Sequence, residues 1–239
     1  MKNSLKKDVL KKLENNSSAY TFITNLMADN TVYLFGGAIR DFFDNTLCSS
    51  RDLDFVVEAK QNQKLDISQY FHDFKDISYT KNRYEGYKVV FNDKLTIDIW
   101  NLADTWAFKN KKLYPSAENL MKSVYLNVDA LVYSLNYEKF LNNCDVEYLQ
   151  IKQKRILDIV YDETPYEDLN LLRALVFCQK YAFELSERLN NKMITYIGNH
   201  NHYNDAIDNF IELQKSHYKT LLLERKDICY FIQHIYCEK

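Results

Sequence analysis

Two stretches decide the fold of this chain: LFGGAIRD at 34–41 and SSRDLDFVVEA at 49–59. The first places two of the chain's 4 glycines side by side, between a strand-like run, 31–35, and a helix-like segment, 38–45. Glycine lets the backbone approach a phosphate closely, and the amides at the start of a following helix attract anions. The stretch therefore predicts a strand-to-helix turn that is either purely structural or a cradle for a triphosphate.

The second stretch places two carboxylates on one face of a predicted strand. Side chains two residues apart in a strand point the same way, so Asp52 and Asp54 share a face and repel each other unless a cation lies between them. Asp98 is a lone charge within the apolar strand LTIDIW, 95–100, where burial is costly unless the acid is paired or metal-bound. Three carboxylates on two strands predict a site for Mg²⁺, with Mn²⁺ as a substitute, beside substrate phosphates.

The ordered set GGAIRDFF…SRDLDFVV resembles the head motif of class II tRNA nucleotidyltransferases, the CCA-adding enzymes, and of the related bacterial poly(A) polymerases. These belong to the polymerase-β-like nucleotidyltransferase superfamily. The resemblance implies an α+β fold, in which a nucleotidyltransferase head with a small mixed sheet precedes an all-helical neck and C-terminal domain. It implies that the metals bind Asp52, Asp54 and Asp98, and that the nucleotide contacts Gly36 and Gly37, with Asp129 and Arg173 at later motif positions. Independently of the resemblance, Arg40 and Arg51 are predicted to contact the phosphates through their directed N–H donors.

The later motifs depart from the family pattern. Val124 and Tyr125 stand where the family has Arg-Asp, and Asp129 stands where it has Asn. In the neck-like helix, Glu167 and Asn170 fall at the positions of the base-selecting Asp and Arg. The family's selection of CTP and then ATP therefore does not carry over to this chain.

The bulk composition is that of a globular protein of 239 residues, with 46% hydrophobic residues and a formal net charge of −2. No apolar run approaches the roughly 18 residues that span a bilayer, so we expect no membrane partner. The 5 cysteines form no CxxC pair and indicate reduced thiols in a cytoplasmic protein. We expect a head domain at 1–145, with a helical extension at 1–29, and a helical domain at 146–239; the oligomeric state is left open.

The hydrophobic pattern predicts short alternating strands in the first half and helices elsewhere. The predicted strands are 31–35, 52–58, 77–80, 87–91 and 95–100, the last two joined as a hairpin; helical spacing covers 5–28, 38–45 and 64–74. Trp100 and Trp106 follow Asp98 closely and could stack on a base, although a buried strand end and helix start is the favoured interpretation.

The predicted activity is Mg²⁺-dependent transfer of a nucleoside monophosphate from an NTP to an acceptor hydroxyl, with release of pyrophosphate. The resemblance implies an RNA acceptor, such as a tRNA 3′ end. One alternative keeps the chemistry but changes the acceptor to a protein or a small molecule, as in toxin-like or antibiotic-modifying enzymes. The other is a non-catalytic module that binds nucleotide or RNA.

Overall fold

The computed structural model describes residues 4–50, 52–60, 65–92, 95–110 and 112–237. The chain divides into two compact units, one of residues 1–123 with 128–147 and the other of residues 124–127 with 148–239. The predicted boundary between 145 and 146 stays a prediction.

The first unit contains a mixed sheet and short helices. Its strands are β1 (Asn30–Phe35), β2 (Asp52–Ala59), β3 (Ile77–Lys81), β4 (Tyr87–Phe91), β5 (Leu95–Asn101), β6 (Val132–Ser134) and β7 (Lys139–Phe140). Its helices are α1 (Leu5–Glu14), α2 (Ser17–Asp29), α3 (Gly37–Phe43), α4 (Trp106–Lys109) and α5 (Ala117–Leu120), and α6 (Cys144–Lys154) crosses the unit boundary. The helix predicted over 64–74 is only a 3₁₀ segment, Ile67–Phe71, and Lys64 lies outside the described residues.

The 7 strands form one sheet in the order β3-β4-β5-β2-β1-β6-β7. Within this sheet β2 and β5 are parallel and the other neighbouring pairs are antiparallel. The β4–β5 pairing is the predicted hairpin. The short strands β6 and β7 were not predicted, because three and two residues carry no readable alternation. The α+β class with a mixed sheet is confirmed.

The core of the first unit lies on one face of this sheet. Along β2, Leu53 and Phe55 are fully buried on that face, whereas Asp52 is exposed on the other. Helix α2 covers the apolar face, and the Phe22 ring stacks on Phe71 with centroids 5.5 Å apart and lies 5.8 Å from Phe91. The alternation over 52–55 therefore places Asp52 and Asp54 on the opposite face, on which the next residue along the strand, Val56, is fully buried.

The second unit is mainly helical. Its helices are α7 (Glu167–Tyr181), α8 (Glu187–Gly198), α9 (Tyr203–Leu213) and α10 (Arg225–Cys237), with a π-helical turn at Gln214–Tyr218. Two two-residue strands, β8 (Ile156–Leu157) and β9 (Glu184–Leu185), form a parallel pair that was not predicted. Among the described residues, no helix is long and apolar enough to cross a membrane.

Candidate functional site

The parallel pairing of β2 and β5 brings the predicted carboxylates together. Asp54 lies directly opposite Asp98, and Asp52 lies opposite Thr96. Directly paired residues share a face of the sheet, so all three carboxylates lie on the face opposite the core. This face, which bears Asp52, Asp54 and Asp98, is called the carboxylate face below.

Burial and like charge both act on Asp54. Burial is the larger cause, followed by repulsion from Asp98 and then Asp52, and together they raise the pKa of Asp54 from 3.8 to about 7. Burial also raises the pKa of Asp98, although Lys88 opposes the shift. A cation bound between these carboxylates would reduce their mutual repulsion and favour their ionised forms.

Lys88 is a cation of this face that the sequence analysis did not identify. It lies opposite Asp98 in the β4–β5 pairing, with its Nζ 4.0 Å from Asp98 Oδ2. A hairpin was predicted between these strands without a register, and a register that pairs Phe91 with Leu95 also pairs Lys88 with Asp98. The side chain is half exposed, so the ion pair is weak and can open when another charge approaches.

The three aspartates do not form a completed ligand set. Among the residues that the structure describes, no group of three or more histidine, cysteine, aspartate and glutamate side chains is arranged to hold a metal ion. Asp54 and Asp98 are direct neighbours, whereas Asp52 lies two residues further along β2 and is exposed. Mg²⁺ commonly takes one or two carboxylates plus substrate phosphates, so this arrangement fits an ion that arrives with its nucleotide.

The glycine turn connects β1 to α3. Gly36 has a φ of +64°, a conformation that side chains rarely adopt, and its N–H donates to the Leu131 carbonyl at 2.9 Å. Gly37 is the first residue of α3. Glycine is therefore required at Gly36 by the backbone geometry, as expected for a sharp strand-to-helix turn.

Arg40 and Asp129 form an ion pair beside the glycine turn. The guanidinium Nη1 of Arg40 donates to Asp129 Oδ1, and both side chains are almost buried. A Cβ on Gly37 would lie 3.5 Å from Arg40 Nη2, so the guanidinium group lies against the turn. Two residues that were each predicted to contact the nucleotide are therefore paired with each other, 89 positions apart in the chain.

The remaining predicted nucleotide contacts lie elsewhere. Arg51 is outside the described residues. Arg173 belongs to α7 in the second unit, with its guanidinium group 5.8 Å from the centre of the Phe177 ring. Both stay predictions.

The fold defines a structural class. A seven-stranded mixed sheet followed by helices matches the head fold of nucleotidyltransferases of the CCA-adding type. The solved structures to which this chain is similar include CCA-adding enzymes and other tRNA-processing enzymes.

Three structures give the extent of the similarity. A tRNA-processing enzyme solved with CTP has a TM-score of 0.58 at 15% identity, over 87% of this chain and 53% of that chain. A CCA-adding enzyme in complex with CTP has a TM-score of 0.52 at 16% identity, over 77% and 43%. The Thermotoga maritima CCA-adding enzyme complexed with tRNA has a TM-score of 0.56 at 16% identity, over 84% and 50%.

At these identities the likeness shows the fold, and the chain spans about half the length of the structures it matches. No protein-family model matches the sequence, and no curated protein matches it. The resemblance identified from the sequence is therefore confirmed at the level of the fold.

Proposed function

We propose that this chain transfers a nucleoside monophosphate from an NTP to an acceptor hydroxyl, with RNA, such as a tRNA 3′ end, as the acceptor. The observation that carries the proposal is the direct pairing of Asp54 with Asp98, with Asp52 on the same face. The fold neighbours support it, because their structures include complexes with CTP, with ATP and with tRNA.

The reaction forms one P–O bond and breaks another. The acceptor hydroxyl oxygen bonds to the α-phosphorus, the bond from the α-phosphorus to the bridging oxygen breaks, and pyrophosphate leaves; the hydroxyl proton passes to water. Asp52, Asp54 and Asp98 would hold Mg²⁺, or Mn²⁺ in its place. When bound, the ion would neutralise triphosphate charge and promote ionisation of the hydroxyl.

The residues around the glycine turn would hold the triphosphate. The backbone of Gly36 and Gly37 can approach phosphate oxygens closely, because neither residue has a Cβ. Arg40 has five N–H donors, so it can contact a phosphate while it remains paired with Asp129. Arg51, next to Asp52 in the sequence, would supply a second cation, and the resemblance assigns a nucleotide contact to Arg173.

The test is incubation of the protein with each α-labelled NTP, Mg²⁺ or Mn²⁺, and separate RNA, protein and small-molecule acceptors. We expect label transfer to RNA, and loss of at least two orders of magnitude in the double variant Asp52→Ala, Asp54→Ala. Asp73→Ala, which removes an exposed carboxylate outside the site, is the matched control. Circular dichroism checks that each variant is folded, and undiminished transfer by the double variant would refute the assignment.

A further inference from the structure

An aromatic pair borders the carboxylates on the same face of the sheet. Phe35 lies opposite Asp54 in the β1–β2 pairing, and Trp100 lies two residues beyond Asp98 on β5. Their ring centroids are 6.4 Å apart with the planes at 84°, an edge-to-face contact. Both residues are half-buried. This pair, Phe35 and Trp100, is called the aromatic wall.

The turn between β3 and β4 supports the wall from one side. A Cβ on Gly86 would lie only 3.3 Å from Trp100 Cβ and 3.0 Å from Asn82 Nδ2. Reciprocal hydrogen bonds fix this turn, because Asn82 N–H donates to the Gly86 carbonyl at 2.8 Å and Gly86 N–H donates to Asn82 Oδ1 at 3.1 Å. The turn backbone therefore packs closely against Trp100 at its Cβ, which restricts the space on that side of the residue.

Trp100 and the glycine turn lie on opposite sides of the paired carboxylates, and Phe35 lies level with Asp54 between them. Because β1 runs antiparallel to β2, the chain that leaves Phe35 at Gly36 heads towards the Asp52 end of β2. Trp100 is paired with Val56, which lies on β2 in the other direction from Asp54. A triphosphate at the glycine turn and a group on the Trp100 end of the wall would thus approach the carboxylates from opposite directions.

That arrangement is the one an in-line displacement requires. The attacking oxygen and the leaving pyrophosphate lie on opposite sides of the phosphorus. If pyrophosphate leaves towards the glycine turn, the acceptor enters from the side of the wall. We propose that Phe35 and Trp100 stack on the terminal nucleobase of a polynucleotide acceptor; this inference rests on the proposed function and assigns the acceptor's contact within that site.

The chemistry of the wall favours a nucleobase over other acceptors. Base–aromatic stacking is tolerant of sequence, because every base presents a π face. A serine or threonine hydroxyl or an amino sugar carries no such face; among amino-acid hydroxyls only that of tyrosine is borne on an aromatic ring. The base of the incoming NTP also has one, but it would reach the wall only if the nucleotide extended across the carboxylates, so it is tested as the competing occupant.

The first experiment uses tryptophan fluorescence, which does not require turnover. The variant Trp106→Phe leaves Trp100 as the single tryptophan of the chain. We expect a short single-stranded oligoribonucleotide to quench this fluorescence, and the same oligonucleotide with an abasic 3′ end to quench it much less. Equal quenching by both, no quenching by either, or equally strong quenching by a non-hydrolysable NTP alone would overturn the inference.

The second experiment separates the two substrates kinetically. Trp100→Leu should raise the KM for the oligonucleotide roughly 5- to 150-fold, the range expected for loss of one stacked base, with the KM for NTP unchanged. Trp100→Phe should restore most of the oligonucleotide affinity, and Trp106→Leu is the matched control. An unchanged KM for the oligonucleotide, or a rise confined to the NTP, would overturn the inference.

Failure of the inference and failure of the proposed function are distinguishable. If the wild-type protein transfers label to RNA but Trp100→Leu behaves like the wild type, only the wall assignment fails. If the wild-type protein transfers nothing to any acceptor, the proposed function fails, and the fluorescence comparison still decides whether the wall binds a nucleobase. Because that comparison uses the intact Trp100 ring, it remains decisive even if Trp100→Leu does not fold.

Discussion

The pairing of Arg40 with Asp129 links the glycine turn to the segment before β6, beside the hydrogen bond from Gly36 N–H to the Leu131 carbonyl. Both side chains are nearly buried, so loss of one partner leaves a charge without compensation. We expect Arg40→Ala to lower the free energy of unfolding by about 3 kcal/mol. Asp129→Asn should cost less, because the amide oxygen can still accept the hydrogen bond.

A double-mutant cycle in urea measures this coupling directly. The double variant Arg40→Ala, Asp129→Ala should be more stable than the sum of the single effects predicts, with a coupling above about 1 kcal/mol. Lys6 and Glu138 provide an exposed control, because they form an ion pair at 2.9 Å in which the Glu138 side chain is more than half exposed. Its coupling should stay below about 1 kcal/mol. Additive effects at Arg40 and Asp129 would show that the buried pair does not act as a unit.

At the scale of the element, the two adjacent glycines differ in backbone conformation and therefore in how they tolerate a side chain. Gly36 has a positive φ and forms the turn, whereas Gly37 begins α3 with ordinary space for a Cβ. Gly36→Ala should therefore lower the free energy of unfolding by about 1–3 kcal/mol through backbone strain. Gly37→Ala should be neutral or slightly stabilising, because alanine favours a helix more than glycine does.

Thermal unfolding of the two variants in parallel checks this prediction. Each variant serves as the control for the other, since both add one methyl group at neighbouring positions. Equal losses of stability would mean that the conformation at Gly36 is not the reason for the glycine pair. A loss of nucleotide binding in Gly37→Ala at unchanged stability would add support to the proposed phosphate contact.

The elements also show where sequence patterns are informative. Strands β1 to β5 were predicted within one or two residues, because each alternates or carries a compact β-branched and aromatic run. Strands β6 to β9 have two or three residues each and were missed. The segment 64–74 has helical spacing, but only Ile67–Phe71 is helical, as a 3₁₀ segment. Its two buried residues are Ile67 and Phe71, the first and the last of the segment.

At the scale of the whole molecule, the charge on Asp54 links site chemistry to stability. Its pKa is raised to about 7 in the folded protein, chiefly by burial. Between about pH 4 and pH 7 the folded state therefore binds more protons than the unfolded state, and stability falls as pH rises through that window. Above pH 7 ionised Asp54 destabilises the folded state to the full extent, and below pH 4 this destabilisation is absent.

Asp54→Asn removes this titration. In metal-free buffer with EDTA, we expect the variant to be more stable than the wild type at pH 8, by up to about 4 kcal/mol, and equal to it near pH 4. Urea unfolding across this pH range measures the difference. Addition of Mg²⁺ at pH 8 should raise the melting temperature of the wild type more than that of Asp54→Asn. A stability difference that does not vary with pH would contradict the prediction.

The local parts of this protein follow from its sequence. The alternation in DLDFVVE places Asp52 and Asp54 on one face, the apolar flanks of Asp98 mark it as exceptional, and the two glycines mark a sharp turn. These features depend on residues within a few positions of one another, where the period of the backbone decides which side chains share a face.

The order of the strands in the sheet is decided by the tertiary structure. Asp54 meets Asp98 because β5 pairs in parallel with β2, although β3 and β4 lie between them in the sequence, and Arg40 meets Asp129 because β6 returns beside β1. Such pairings depend on how all the strands bury their apolar faces together, and the hydrophobic alternation within a single strand does not predict them. The sequence identifies the three carboxylates of the site; only the folded sheet places them within reach of one another and of Lys88.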